Sequence, residues 1–231
     1  TWKFLVIPGP GDARRLLIAQ WPNGTDSLGV VNSETLVETK GFYGVPAGHT
    51  MVGGWTQQNR TGLVFADVNA DGAGELVSVT NGVWNRVTVF SDQGAPLFNA
   101  QFGPGPSNRP YETMRDLAVA DLDGDGDLEI VVAIAEGLVV TLDHECRKVW
   151  ATRLPSPPTQ LEAITPRGAG LPAIVAGCED GTAVRLSGAG EIVALGSAGG
   201  RVVTMTVADT PAGPLAIMAT AEGAVTGWRV D

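Results

Sequence analysis

One pattern recurs five times along this chain: an apolar strand, a polar loop, a second strand, a glycine turn, then alternating residues. The second strands read RRLLIAQW, GELVSVT, LEIVVAI, PAIVAG and LAIMAT. With Leu17, Leu76, Ile130, Ile174 and Ile217 taken as equivalent, the steps between them are 59, 54, 44 and 43 residues. A glycine follows each anchor six or seven residues later, at Gly24, Gly82, Gly137, Gly181 and Gly223. A hairpin turn that needs positive φ asks for glycine at that point. Period-2 alternation follows, as in Val87 and Val89 or Val184 and Leu186, and then a turn such as SDQG or SGAG and another short strand.

Four antiparallel strands in about 44 residues match the blade length of propeller arrays, in which each blade buries its faces only against its neighbours. A β-sandwich, the ordinary all-β alternative, has turns every 8 to 12 residues or so but no repeat at blade length. No segment carries a sustained helical period. The expectation is an all-β chain, a β-propeller of about five four-stranded blades in a single domain over residues 1–231. The blades span roughly 1–40, 61–101, 114–154, 159–196 and 201–231, with inserted loops at 41–60 and 102–116. The fifth unit reaches Asp231 after its third strand, so its fourth strand is expected to be missing or supplied from elsewhere.

Composition narrows the partners. Hydrophobic residues make up 44% and charged ones 17%, with 31 Gly and 15 Pro, which describes a folded, turn-rich chain. A net charge of −10 disfavours nucleic acid or an anionic membrane as partner and favours cations as small ligands. The longest apolar stretch, Leu128 to Leu142, is broken by Glu129, Glu136 and Gly137, too short for a membrane helix. The chain begins at Thr1 without a charged and then apolar leader, so an export signal is expected to have been removed or never to have been present.

Two acidic loops join first to second strands: DVNADGAGE from Asp67 to Glu75, and DLDGDGDLE from Asp121 to Glu129. Both fit D-x-[DN]-x-D-G-x-x-E. Alternate residues at positions one, three and five can turn oxygens inward, glycine at six permits a sharp bend, position seven adds an oxygen, and Glu at nine closes the shell. The expected ligands are Asp67, Asn69, Asp71, Ala73 through its carbonyl, and Glu75 in one loop, and Asp121, Asp123, Asp125, Asp127 and Glu129 in the other. Calcium, which takes six to eight oxygens, suits such a shell better than magnesium. An EF-hand puts its last Glu at about position twelve and opens a helix, whereas here the acid enters a Val/Ile-rich strand. The corresponding loops in units four and five, TPRGAGLPA and DTPAGPLA, have lost the ligands, as has PGPGDARR in unit one.

In VFADVNADGAGELVSV and LAVADLDGDGDLEIVVA the chain resembles the FG-GAP or VCBS repeat family, the calcium-bearing propellers exemplified by integrin alpha subunits, and Phe102-Gly103 stands where that family's FG pair would. It departs from the pattern after the second strand, where VTNG and AIAEG replace the GAP triplet, and integrin propellers have seven blades. The resemblance implies a blade fold and calcium, and no particular ligand.

Chemistry beyond cation binding is poorly represented. There are two histidines, His49 and His144, and no G-x-S-x-G elbow, C-x-x-C pair or H-E-x-x-H helix. A non-enzymatic role is expected. The inserted loops offer aromatic and planar hydrogen-bonding groups, with Tyr43, His49, Trp55, Arg60, Arg109 and Tyr111 as candidates for a partner surface, or as plugs over the propeller centre. Two roles follow. One is a calcium-binding interaction or scaffold module of an extracellular, periplasmic or cell-surface assembly, with other protein subunits as partners. The other is a carbohydrate-binding or carbohydrate-active propeller, a lectin or lyase-like protein. Blade topology places Cys146 and Cys178 on opposite rims, so no disulfide is expected between them, and Cys146 is expected to be the more accessible.

Overall fold

The structure is a computed structural model, and it describes residues 3–9, 14–19, 28–39, 43, 59–81, 85–102, 113–168 and 170–229. Among the described residues nineteen strands form five antiparallel sheets, the blades of a β-propeller, and no helix occurs. Four sheets have four strands and the last has three, as the repeat predicted.

The chain divides into two compact units. Unit one, residues 1–67 and 71–114, holds two sheets. The first runs β1 (Lys3–Pro8), β2 (Arg14–Ala19), β3 (Leu28–Asn32) and β4 (Glu38–Thr39). The second runs β5 (Asn59–Ala66), β6 (Glu75–Asn81), β7 (Asn85–Phe90) and β8 (Pro96–Phe102). Their core gathers Ile7, Leu17, Val30, Leu76 and Phe90 around Tyr43, whose ring meets Phe90 edge-on with centroids 5.2 Å apart.

Unit two, residues 68–70 and 115–231, carries the remaining three sheets. They are β9 (Met114–Ala120), β10 (Glu129–Ile134), β11 (Leu138–Leu142) and β12 (Lys148–Arg153); then β13 (Pro158–Ile164), β14 (Ala173–Cys178), β15 (Thr182–Leu186) and β16 (Ile192–Ser197); then β17 (Val202–Thr210), β18 (Gly213–Thr220) and β19 (Val225–Arg229). Consecutive sheets here pack face to face. Val131, Ala133 and Val139 meet Leu161, Ile174 and Val184, while Val175 and Ala183 meet Met205, Ala216 and Met218.

This stacking explains why the second strands read as unbroken apolar runs. β14 is buried at every residue because the third and fifth sheets cover its two faces, so alternation disappears, and β10 is likewise buried throughout. β18 keeps it: Ala216 and Met218 are buried against the fourth sheet while Ile217 is only half-buried. The anchors Leu17, Leu76, Ile130 and Ile174 are fully buried, and each contributes about 1.5–3 kcal/mol through burial.

Turns repeat as faithfully as strands. Gly137, Gly181 and Gly223 have φ of +88°, +86° and +86°, and their N–H groups donate to Ile134, Cys178 and Thr220 carbonyls. Gly24 and Gly82 lie outside the described residues. The turns from third to fourth strand, Ser91 to Ala95, Asp143 to Arg147 and Ser187 to Glu191, share one hydrogen-bond pattern. In each, the first residue's side-chain oxygen also accepts the fifth residue's N–H. The fourth position is left-handed, with Gly94 at +79°, Gly190 at +82° and Cys146 at +64°.

Candidate metal-binding loops

Asp121 directly follows β9 and Glu129 opens β10, so both ends of the longer acidic loop are fixed by paired strands. Leu122 points inward and is buried in the core between third and fourth sheets, which leaves the flanking odd-numbered acids to face outward. Gly124 and Gly126 take φ of +84° and +101°, values that a side chain would strain. The acids organise the loop backbone: Gly124 N–H donates to Asp121 Oδ1 at 2.7 Å, Asp125 N–H to Asp123 Oδ1 at 3.2 Å and Asp127 N–H to Asp125 Oδ1 at 2.9 Å.

Carboxylate oxygens of Asp121, Asp123 and Glu129 lie within 4.8 Å of one another, and Glu129 is buried. Burial pushes the Glu129 carboxyl above the usual range, the Leu122 N–H donated to it at 2.7 Å opposes that, and the charges of Asp123, Asp125 and Asp121 add to the rise. At an effective dielectric of about 20, two carboxylates at that separation repel by about 3.5 kcal/mol. A hard cation reverses that sign. The oxygen-only donor set with a buried closing Glu therefore fits calcium, and Asp121, Asp123 and Glu129 are the residues that would hold it.

Two expected ligands are elsewhere. Asp125 does not join the three-carboxylate group, and Asp127 turns its side chain to His144, with Nδ1 and Oδ2 3.0 Å apart, which leaves its backbone carbonyl as the position-seven oxygen. The His144 contact was missed from sequence; its signal is that Asp127 and His144 occupy the loop and turn at one end of the same sheet.

The shorter loop is held differently. Both Asp67 carboxylate oxygens accept backbone N–H groups, from Asp71 at 3.1 Å and Gly72 at 2.9 Å, and Asp71 Oδ1 accepts from Ala73 at 2.8 Å. Glu75 is buried where β6 starts, as Glu129 is at β10, and Asn69 is half-buried. Among the described residues only the 121–129 loop brings three carboxylates together.

The candidate partner surface fares unevenly. Tyr43 is 1% exposed and belongs to the unit-one core, with its phenol pushed up to about 12 by burial, so it is a packing residue and not a contact for partners. His49, Trp55, Arg109 and Tyr111 lie outside the described residues, as does the side chain of Arg60, whose backbone belongs to β5. Cys146 and Cys178 are both unbridged and both buried; Cys146 keeps 7% exposure against none for Cys178, a smaller difference than its turn position suggested.

Comparison with known proteins agrees with this geometry. An FG-GAP-like repeat model matches residues 67–132, which contain both acidic loops, and a model of the lambda-carrageenase beta-propeller domain matches residues 111–201. No curated protein sequence matches the chain. Among solved structures, Sqt1 of Saccharomyces cerevisiae superposes with a TM-score of 0.69 at 13% identity, over 100% of this chain and 59% of that one. BBS1N, crystallised in complex with ARL6DN, gives 0.65 at 11% identity over 96% of this chain and 62% of that one. The V. cholerae biofilm matrix protein Bap1 gives 0.64 at 16% identity over 99% and 37%. Identities this low carry the fold alone, and the chain spans about three fifths of the first two structures. With blade-length repeats, five antiparallel sheets and both family models in agreement, the chain is a β-propeller that carries an FG-GAP-like repeat over residues 67–132.

Proposed function

We propose that this chain is a non-catalytic, calcium-binding propeller that serves as an interaction or scaffold module of an assembly outside the cytoplasm. The observation that carries the calcium reading is the convergence of Asp121, Asp123 and buried Glu129 within 4.8 Å. Calcium there would add attraction where three acids otherwise repel, and it would tie the end of β9 to the start of β10. Sites of this kind fill at the calcium levels found outside the cytoplasm, and with a Kd of about 0.1 mM at about 1 mM calcium the contribution is about 1.4 kcal/mol.

The interaction reading is supported by apolar side chains on the outer strands of unit two, where Val149 on β12 and Val193 and Leu195 on β16 are exposed. Exposed apolar residues on the outer strands of a rigid scaffold suit a protein partner. A similar fold, BBS1N, was crystallised in complex with another protein, ARL6DN. The test is affinity capture from the source organism with the wild-type chain and with Val193→Asp/Leu195→Asp. A partner retained by the first and lost with the second supports the module; no retained protein, or native protein found only in the cytoplasmic fraction, contradicts it.

A further inference from the structure

In the third sheet, the acidic loop and the β11–β12 turn are tied together by Asp127 and His144. The second sheet has the same two elements without the tie. Its loop carries Ala73 at the seventh position, where the other carries Asp127, and its turn carries Asp92 at the second position, where the other carries His144. Ala73 is too short to bridge, and Asp92 Oδ2 instead accepts from Gln93 Nε2 at 2.8 Å. The gap stays open as a pocket of about 450 Å³ within unit one, walled by Gly72 to Gly74, Asp92, Gln93, Phe65 and Arg15.

We propose that this pocket binds a neutral saccharide unit. A sugar presents hydroxyls that donate and accept at once, together with patches of C–H. The pocket answers each: Arg15 offers planar donors, Asp92 accepts, the Gln93 amide does both, and the Phe65 ring supplies an apolar surface. The volume lies in the range of small-molecule sites, about 300–1,000 Å³. Its walls are preformed, which lowers the ordering cost of binding. Arg15 Nε is held by the Pro8 carbonyl at 2.9 Å, the Gly72 and Ala73 amides are held by Asp67 and Asp71, and the Ser91 to Ala95 turn is closed by backbone bonds of 2.8 and 2.9 Å. Gly74 makes room for the ring, since a Cβ there would stand 2.3 Å from Phe65. Asp92 in the wall and the net charge of −10 select against sulfated or uronic-acid sugars.

The site does not depend on the metal reading, because Asp67 and Asp71 shape its wall through backbone amides. The test is a glycan array carrying neutral mono- to tetrasaccharides beside sulfated and uronic-acid ones, followed by calorimetric titration with the best neutral sugar, all at constant calcium. The expected result is retention of neutral saccharides and a loss of affinity of about tenfold or more in Ala73→Asp/Asp92→His, which installs the third sheet's tie, with the melting midpoint unchanged or higher. Gln93→Trp, at an exposed turn position, blocks the same pocket by bulk and serves if the first variant fails to fold. Retention of acidic saccharides alone, of no saccharide, or undiminished binding by the folded variants would overturn the proposal.

Discussion

Replacing Gly181 by alanine probes how closely the fourth sheet's hairpin turn abuts the start of the fifth. Gly181 has φ +86°, and an added Cβ would stand 2.6 Å from the Gly200 backbone nitrogen and 2.7 Å from its carbonyl oxygen. Backbone atoms cannot swing aside as a side chain can. Gly223 is the matched control: its φ is also +86°, and nothing lies within 4 Å of its added Cβ. A left-handed conformation costs alanine about 1–2 kcal/mol, offset by about 0.4–1 kcal/mol from stiffening the unfolded chain. Gly223→Ala is therefore expected to destabilise by about 0.5–1 kcal/mol. Gly181→Ala carries that cost and an overpacking cost of about 1–3 kcal/mol, for a total of about 1.5–4 kcal/mol. For a chain of this length each kcal/mol moves the melting midpoint by about 2–4 °C, so the two variants should differ by several degrees. Urea unfolding of both, with their slopes compared, gives the free energies directly. Equal destabilisation would refute the close approach of residues 181 and 200, and with it the packing of these two sheets.

Both thiols should resist labelling in the native protein and react only on unfolding, because both are buried and burial, reinforced by Asp180 and Glu179, pushes the Cys178 thiol up to about 12; fast native-state modification of Cys178 would contradict its placement. Trp150→Phe removes the indole N–H donated to the Gly188 carbonyl at 2.9 Å and should cost about 1–2 kcal/mol in urea unfolding. His144→Ala should cost less than about 1 kcal/mol, since the Asp127 contact is partly exposed, and a larger loss would mean that the tie organises the whole loop.

Local features were legible in the sequence and non-local ones were not. The anchors Leu76, Ile130 and Ile174 and the turns at Gly137, Gly181 and Gly223 follow from apolar pattern and from the φ that each turn demands, which are properties of a few adjacent residues. The three strands that the last sheet shows among the described residues were legible because counting strands needs no tertiary contact. For Tyr43 the sequence left a partner contact and a plug over the propeller centre both open; its ring fills the unit-one core against Phe90, a contact 47 residues away in the chain that no local pattern encodes. The ligand set was only partly legible. Spacing proposed five ligand residues for the 121–129 loop without fixing whether position seven gives a carbonyl or a side-chain oxygen; the fold turns the Asp127 side chain to His144 on a different hairpin, and no spacing rule within the loop encodes that neighbour. In the 67–75 loop the same spacing yields a carboxylate whose two oxygens are already engaged by backbone amides.

The central claim, that Asp121, Asp123 and Glu129 form a calcium site, is tested most directly by titrating calcium into the chelated wild-type chain and into Asp121→Asn/Asp123→Asn while following the melting midpoint. The account predicts a rise of about 3–6 °C for wild type at about 1 mM calcium, and loss of most of that rise in the double variant. A wild-type midpoint indifferent to calcium and chelator, or a double variant that responds as strongly as wild type, would contradict it.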